Sequence, residues 1–208
     1  MYFPNNIIRI ILFLPRKIRM YIYILWNRLI FKLCGVRYGK NLRVYNRFYI
    51  NKYKNSHIQI GDNFTFTSGE AFNALSRNIR GCFCTEENAS LIIGNNTGIS
   101  SSCLWAASLI QIGNNVMIGG DCIILDNDCH SLDYELRRIG GKQDTSNAQS
   151  KPVIIEDDVL IGTRSIILKG VTIGARSIIG SGSVVTKSIP ADCIAGGNPC
   201  KVLKYINK

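Results

Sequence analysis

Residues 155–189 read IEDDVLIGTRSIILKGVTIGARSIIGSGSVVTKSI, and an aliphatic residue recurs in this stretch at every sixth position. The recurring positions are Ile155, Ile161, Ile167, Ile173, Ile179 and Val185. A period of six matches neither the 3.6 of an α-helix nor the simple alternation of a long strand. It indicates an all-β solenoid, a parallel β-helix in which each hexad forms one short strand and three hexads complete a coil.

This period also predicts which side chains lie on top of one another. We expect three stacked pairs along the axis of the solenoid, Ile155 with Ile173, Ile161 with Ile179 and Ile167 with Val185. The small or branched residue four positions after each aliphatic residue should also point inward, at the corner between two strands. The same phase recurs in earlier blocks, at Ile60 and Phe66, at Ile93, Ile99 and Trp105, and at Ile112, Ile118 and Ile124.

The chain of 208 residues is long enough for one sizeable core and an appendage. We divide it into a basic, apolar helical and extended segment over 1–56, a β-helix over 57–190, and a tail over 191–208. The hexad period is interrupted at 72–90 and again at 131–152. The second interruption is polar and too long for a simple turn, so we expect an inserted loop there.

The net charge of +11 comes from the N-terminal third, because residues 1–61 hold twelve Lys and Arg and no Asp or Glu. We expect residues 1–35 to be helical, with a start at Asn5 or Asn6, a break at Pro15 and an end at Gly35. Aromatic and apolar residues mixed with cations favour peripheral contact with a membrane surface. Packing against the β-helix or a partner subunit is the alternative. A segment this apolar is a poor candidate for binding nucleic acid.

Eight cysteines are present, and none forms a CxxC pair, so we expect no structural zinc site. The apolar N-terminus is interrupted by Arg, Lys and Pro15, and it lacks the features of a secretory signal peptide. Reduced thiols in a cytoplasmic protein, associated in one alternative with the inner face of the cell membrane, are the preferred interpretation. Cys103 and Cys122 occupy fourth-following positions of the hexads and are expected in the core.

The stretch 161–201, IGTRSIILKGVTIGARSIIGSGSVVTKSIPADCIAGGNPCK, resembles the C-terminal half of hexapeptide-repeat acyltransferases. Maltose and galactoside O-acetyltransferases and acetyltransferases of bacterial surface-polysaccharide synthesis belong to this family. The resemblance covers roughly residues 58–204, and VVTK-x-IP and GGNP-x-K are its most specific segments. It implies left-handed coils, a homotrimer, acetyl coenzyme A as the acyl donor and a carbohydrate acceptor.

The chain has only two histidines, His57 and His130. His130 ends the segment LDNDCH at the mouth of the inserted loop, one period after Ile124, where an aliphatic residue would continue the repeat. An imidazole has a pKa suited to removing a hydroxyl proton near neutral pH. The resemblance implies that His130 is this general base. Asp128 is the candidate support residue, and a covalent acyl-cysteine at Cys129 is the disfavoured alternative.

The resemblance also implies a binding site for coenzyme A. Thr163 and Ser181 follow Ile-Gly in successive coils, and Thr186 and Lys187 match the Thr-Lys pair of the family. Lys201 and Lys204 match basic positions beyond GGNP, where Arg is more usual in the family. Cys200 replaces the more usual Ala. The cations would meet phosphates of the donor, while the coil edges would face its extended arm.

These residues favour an acetyl-CoA-dependent O-acetyltransferase that modifies a sugar hydroxyl, in the biosynthesis of a bacterial surface polysaccharide. N-acetylation of an amino sugar is the nearest alternative, since an amine and a hydroxyl acceptor need similar residues. A non-catalytic β-helix used for assembly is a further alternative, which leaves His130 and the basic C-terminal motif unexplained. A zinc-dependent carbonic anhydrase is excluded, because it needs three histidine ligands for its zinc and the chain has only two histidines.

Overall fold

The structure is a computed structural model that describes residues 6–69 and 79–206, with the side chains of the first helix described from Leu14 onward. Its strands form three sheets, and the chain visits them in the fixed order A, B, C, so that it winds as a parallel β-helix. Strand pairing is parallel throughout, apart from the last pair in sheet B. The prediction of a β-solenoid preceded by a helix is therefore confirmed in its architecture.

Sheet A contains β1 (Arg37–Tyr38), β4 (His57–Ile60), β7 (Ser90–Ile93), β10 (Leu109–Ile112), β13 (Val153–Ile155) and β16 (Thr172–Ile173). Sheet B contains β2 (Arg43–Tyr45), β5 (Thr65–Thr67), β8 (Gly98–Ser100), β11 (Met117–Ile118), β14 (Leu160–Ile161), β17 (Ile178–Ile179), β19 (Cys193–Gly196) and β20 (Lys201–Tyr205). Sheet C contains β3 (Phe48–Lys52), β6 (Gly81–Thr85), β9 (Cys103–Ala106), β12 (Ile123–Leu125), β15 (Ile166–Ile167) and β18 (Val184–Val185). The three edges of this prism are named AB, BC and CA after the sheets that meet there.

The register of the sheets confirms the predicted stacking. Ile155 pairs with Ile173, Ile161 with Ile179 and Ile167 with Val185. The predicted fourth-following residues are also buried, namely Val159, Ser165, Val171, Ser177, Ser183 and Ile189. Each coil cannot bury its own inner face, so the stacked coils share one continuous apolar core along the axis.

The phase predicted for residues 93–105 is wrong by one residue after Ile99. Leu104 is fully buried, whereas Trp105 and Cys103 lie on the outer face of sheet C. The step from Ile99 to Leu104 has five residues instead of six, and Ser101 takes a left-handed backbone conformation with φ +35° at the corner. Cys103 is therefore no core residue, while Cys122 is buried as predicted.

The coils begin before residue 57, where the sequence placed their start. Strands β1, β2 and β3 already join the three sheets, and Val44 packs in the core in register with Phe66. Likewise, β19 extends sheet B beyond residue 190, parallel to β17. The first coil escaped detection because its short strands contain Arg43 and other polar residues around a single inward side chain.

The N-terminal helix α1 spans Asn6–Leu33 and continues through Pro15, so the predicted break is wrong. The backbone hydrogen bond that a proline cannot donate is missing in an exposed part of the helix. Water can donate to the unpaired carbonyl there instead. The predicted end at Gly35 is confirmed. Gly35 has φ +67°, and Val36 N donates to Phe31 O at 2.9 Å, which closes a Schellman cap.

Edge AB carries a ladder of side-chain amides that the sequence analysis missed. Asn41, Asn63, Asn96, Asn115 and Asp158 stack in successive coils, and the side-chain amide of each asparagine donates to the side-chain oxygen of the next residue at 2.9–3.1 Å. All five residues have φ between 55° and 60°. Asparagine tolerates this left-handed conformation better than most residues, and the ladder stabilises the corner.

The interruption at 131–152 forms a loop with two short helices, α2 (Tyr134–Ile139) and α3 (Gly141–Thr145). Asp133 caps α2 by accepting a bond from Glu135 N at 2.8 Å. The interruption at 72–90 is shorter than predicted, because β6 and the start of β7 already belong to the sheets. Part of that interruption, residues 72–78, lies outside the described residues.

Candidate active site

The candidate site lies on edge CA, where the chain leaves β12 and enters the inserted loop. Asp126 is fully buried there and accepts bonds from Ala107 N and Ser108 N, both at 2.7 Å. Asn127 adds a bond from its amide to Asp126 at 3.1 Å, and its carbonyl oxygen accepts from Cys129 N at 2.9 Å. Asp126 and Asn127 thus tie the mouth of the loop to the preceding coil.

His130 projects from this anchored corner with a ring that is 65% exposed. Its Nδ1 lies 2.6 Å from Oδ2 of Asp144, a carboxylate that is only 7% exposed. The other oxygen of Asp144 accepts a bond from Ser131 N at 2.8 Å. Asp144 therefore fixes both the ring and the backbone beside it, and a proton on Nδ1 leaves Nε2 free to accept another.

The electrostatics of this pair favour an ionised carboxylate. The hydrogen bond with His130, together with that from Ser131 N, holds the pKa of Asp144 below its ordinary value. The arrangement has the form of a histidine base with an orienting acid.

The structure pairs Asp128, the support residue that the sequence suggested, with a lysine. Its carboxylate pairs with Lys169, which follows β15 one coil further along the same edge. The backbone at Cys129 turns with φ +62°, so Asp128 and His130 do not continue one extended strand with a shared face. The acid in contact with His130 is Asp144, and nothing in its spacing from His130 distinguished it from the other acids of the loop.

Cys129 is poorly suited to covalent catalysis. Burial is the main cause that raises the pKa of its thiol, and the charge of Glu86 acts in the same direction. A raised pKa keeps the thiol protonated near neutral pH, whereas the thiolate is the nucleophile. The thiol of Cys129 is therefore a poor nucleophile, which disfavours an acyl-cysteine intermediate.

The predicted donor-binding residues fall into three groups, on edge BC, on edge CA and on strand β20. Thr163 and Ser181 stack on edge BC, directly after β14 and β17. A side chain in place of Gly119 or Gly162 would collide with them, since its Cβ would lie 2.5 Å from Thr163 N or 2.4 Å from Ser181 N. Glycine at these positions lets successive coils approach closely along edge BC.

Thr186 and Lys187 lie on edge CA with His130, directly after β18. The width of sheet C separates them from Thr163 and Ser181 within one chain. Lys201 and Lys204 lie on β20, the antiparallel strand that closes sheet B beside β19. All three lysines are exposed, which suits contact with phosphate groups. Within one chain, therefore, only Thr186 and Lys187 of the predicted donor residues share the edge of His130. The others, Thr163, Ser181, Lys201 and Lys204, do not.

Comparison with known proteins gives the following relations. Residues 152–187 match a family model described as the hexapeptide repeat of succinyl-transferase. The galactoside O-acetyltransferase of Escherichia coli K12 is 41% identical over 98 residues, which cover 47% of this chain and 45% of that protein. The chain thus spans a little under half the length of this curated relative.

A solved hexapeptide-repeat acetyltransferase of Vibrio cholerae, complexed with acetyl coenzyme A, is 34% identical with a TM-score of 0.53. The match covers 65% of this chain and 76% of that structure. The 2,3,4,5-tetrahydropyridine-2,6-dicarboxylate N-acetyltransferase of Staphylococcus aureus Newman is 51% identical over 55 residues, covering 26% of this chain and 23% of that protein. Relatives named for O-acetylation and for N-acetylation therefore share this repeat.

Proposed function

Because the chain belongs to the hexapeptide-repeat acyltransferase family, we propose that it transfers the acetyl group of acetyl coenzyme A to a carbohydrate hydroxyl. One observation carries this proposal. The repeat is interrupted at His130, whose imidazole is exposed. Its Nδ1 lies 2.6 Å from the buried carboxylate of Asp144. A β-helix with a purely structural role does not require an exposed imidazole that a buried carboxylate holds in one orientation.

In the proposed reaction, Nε2 of His130 accepts the proton of the acceptor hydroxyl while Nδ1 donates to Asp144. The acceptor oxygen forms its new bond to the acetyl carbon, and the bond from that carbon to sulfur breaks. His130 then returns the proton to the departing thiolate of coenzyme A. Asp144 holds the ring in one orientation and one tautomer throughout, so it is a positioning residue.

The donor supplies an activated thioester, and the chain offers residues that fit it. Exposed Lys187, Lys201 and Lys204 suit its phosphates, and the glycine-flanked backbone around Thr163 and Ser181 suits its extended arm. These residues lie on edge CA, on edge BC and on strand β20 of one prism. A homotrimer, with edge BC of one subunit facing edge CA of the next, would bring them to one donor.

The remaining parts of the proposal come from the family resemblance. They are left-handed coils, a trimer, and an acceptor that is a precursor of a bacterial surface polysaccharide. A cytoplasmic location rests instead on the cysteines, interpreted as reduced thiols. Sedimentation analysis tests the trimer. A dimer or monomer that keeps full activity would remove the shared-edge explanation for the separated donor residues.

The direct test uses the purified chain, labelled acetyl coenzyme A and a panel of neutral sugars, amino sugars and oligosaccharides. Mass spectrometry of the product locates the new acetyl group. Transfer to oxygen supports the proposal, and transfer confined to the amine of amino sugars replaces it with the N-acetyltransferase alternative, which the Staphylococcus relative favours. Absence of coenzyme A binding by calorimetry would refute both.

Lys201→Gln with Lys204→Gln tests the donor site. We expect weaker binding of acetyl coenzyme A, by about 30-fold if each of the two lost charge-assisted contacts contributes roughly 1 kcal/mol. The turnover at saturating donor should stay near the wild-type value. Lys54→Gln, which removes an exposed cation at the other end of the solenoid, is the matched control. Unchanged donor affinity in the double variant would contradict this assignment.

A further inference from the structure

One face of α1 is a stripe of large apolar side chains exposed to solvent. Each of them is at least half exposed, and the stripe consists of Leu14, Ile18, Tyr21, Ile22, Leu25, Trp26, Leu29 and Leu33. The spacing repeats every three or four residues. At about 100° per residue, these side chains span an arc of about 140° on the helix.

The opposite face of α1 packs on the first coil of the solenoid. Phe31 is fully buried there, with its ring centroid 5.4 Å from that of Phe48. Asn27 donates to Val44 O at 2.8 Å, and Arg28 Nη2 donates to Leu42 O at 2.8 Å. These bonds fix how the helix is rotated, so the apolar stripe points away from the solenoid.

Cations surround the stripe. Lys17 and Arg19 lie at its two borders, and Lys32 lies beside Leu33 at the C-terminal end of the helix. The adjoining first coil adds exposed basic residues at the same end of the molecule, Arg37, Lys40, Arg43 and Arg47. Residues 1–61 contain no acidic residue that would offset this charge. The surface therefore combines an apolar stripe, aromatic side chains and one sign of charge.

We infer that the stripe of α1 docks in the plane of an anionic phospholipid bilayer. Apolar side chains of such a helix enter the boundary between headgroups and acyl chains, and Trp and Tyr favour that depth. Lysines and arginines at the borders of the stripe meet the lipid phosphates. Among the helices of the described residues, none has the apolar length that a membrane crossing requires.

Vesicle flotation of the full chain tests this inference, using phosphatidylcholine vesicles with and without phosphatidylglycerol. We expect at least about tenfold stronger binding to the anionic vesicles, decreasing with salt, since each basic residue near such a surface adds roughly fivefold. In a Trp105→Phe background, the fluorescence of Trp26 should shift to the blue on binding. Equal binding to both vesicles, or none, would overturn the inference.

Two variants with matched exposure locate the surface. Leu25 is 66% exposed on the stripe, and Leu203 is 68% exposed on β20 at the other end of the solenoid. Leu25→Glu should lower anionic-vesicle binding at least about tenfold, whereas Leu203→Glu should change it less than about twofold. Equal effects of the two would refute docking through α1. A different pair of results would show that a second copy of the chain covers the stripe instead. In that case the wild type binds no vesicles, and Leu25→Glu loses the oligomeric state of the wild type. These readouts do not depend on acetyl transfer.

Discussion

Replacement of Asp144 by Asn tests how the base is positioned. The ring of His130 is largely exposed, so its packing restrains it little, and the bond to Asp144 at 2.6 Å is its main restraint. A hydrogen bond to a charged partner contributes about 1.5–3 kcal/mol. If this free energy holds the ring in the reactive orientation and tautomer, Asp144→Asn should lower kcat/KM by about 10- to 150-fold.

The assay is the initial rate of acetyl transfer, with donor affinity measured separately by calorimetry. Asp133→Asn is the matched control, because Asp133 lies in the same loop but caps α2 and contacts no part of His130. We expect the control to keep most of its activity, and both variants to bind acetyl coenzyme A with wild-type affinity. A fully active Asp144→Asn protein, or an equal loss in the control, would refute the positioning role.

Three further predictions concern the same structure. The depressed pKa of Asp144 means that its contribution to loop stability is present above its ordinary pKa, of about 3.9, and is lost as the pH falls through the lower folded value. Proteolysis of the 131–152 loop should therefore accelerate in the wild type only in acid. Asp144→Asn has no carboxylate to protonate at this position, so it should show no such acceleration at any pH below 5. Asn96→Ala should destabilise the protein by about 2–3 kcal/mol in chemical denaturation, and Asn96→Gly by about 1 kcal/mol less, because both lose the ladder bonds but only alanine is strained at φ +55°. Equal losses would argue against strain. Burial raises the pKa of Cys84 to about 11, so alkylation of the native protein at pH 8 should be about 200-fold slower there than at an ordinary thiol. Fast labelling of Cys84 would contradict the burial of its thiol.

The sequence predicted the coils wherever the hexad period is regular. Ile161, for example, is followed by glycine and stacks on Ile179 as expected, because an aliphatic side chain at this position fills the axis of every coil. The period failed at the five-residue step from Ile99 to Leu104. A corner can absorb one residue through a change in a single backbone conformation, which leaves little trace in composition.

The candidate site was predictable only in part. His130 was identifiable because it breaks a repeat, whereas Asp144 contacts it from a loop that follows no period. The path of such a loop depends on tertiary contacts, so spacing alone favoured the neighbouring Asp128. The apolar stripe of α1 was hidden for a related reason, since bonds from Asn27 and Arg28 to the first coil decide which face is covered.

The measurement that tests the central claim most directly compares His130→Ala with the wild type in acetyl transfer and in donor binding. Loss of a general base lowers turnover by about 10²–10⁴-fold. We predict a loss of this size with unchanged affinity for acetyl coenzyme A, because the proposed donor contacts do not include the imidazole. A folded His130→Ala protein that transfers acetyl groups at the wild-type rate would contradict the account.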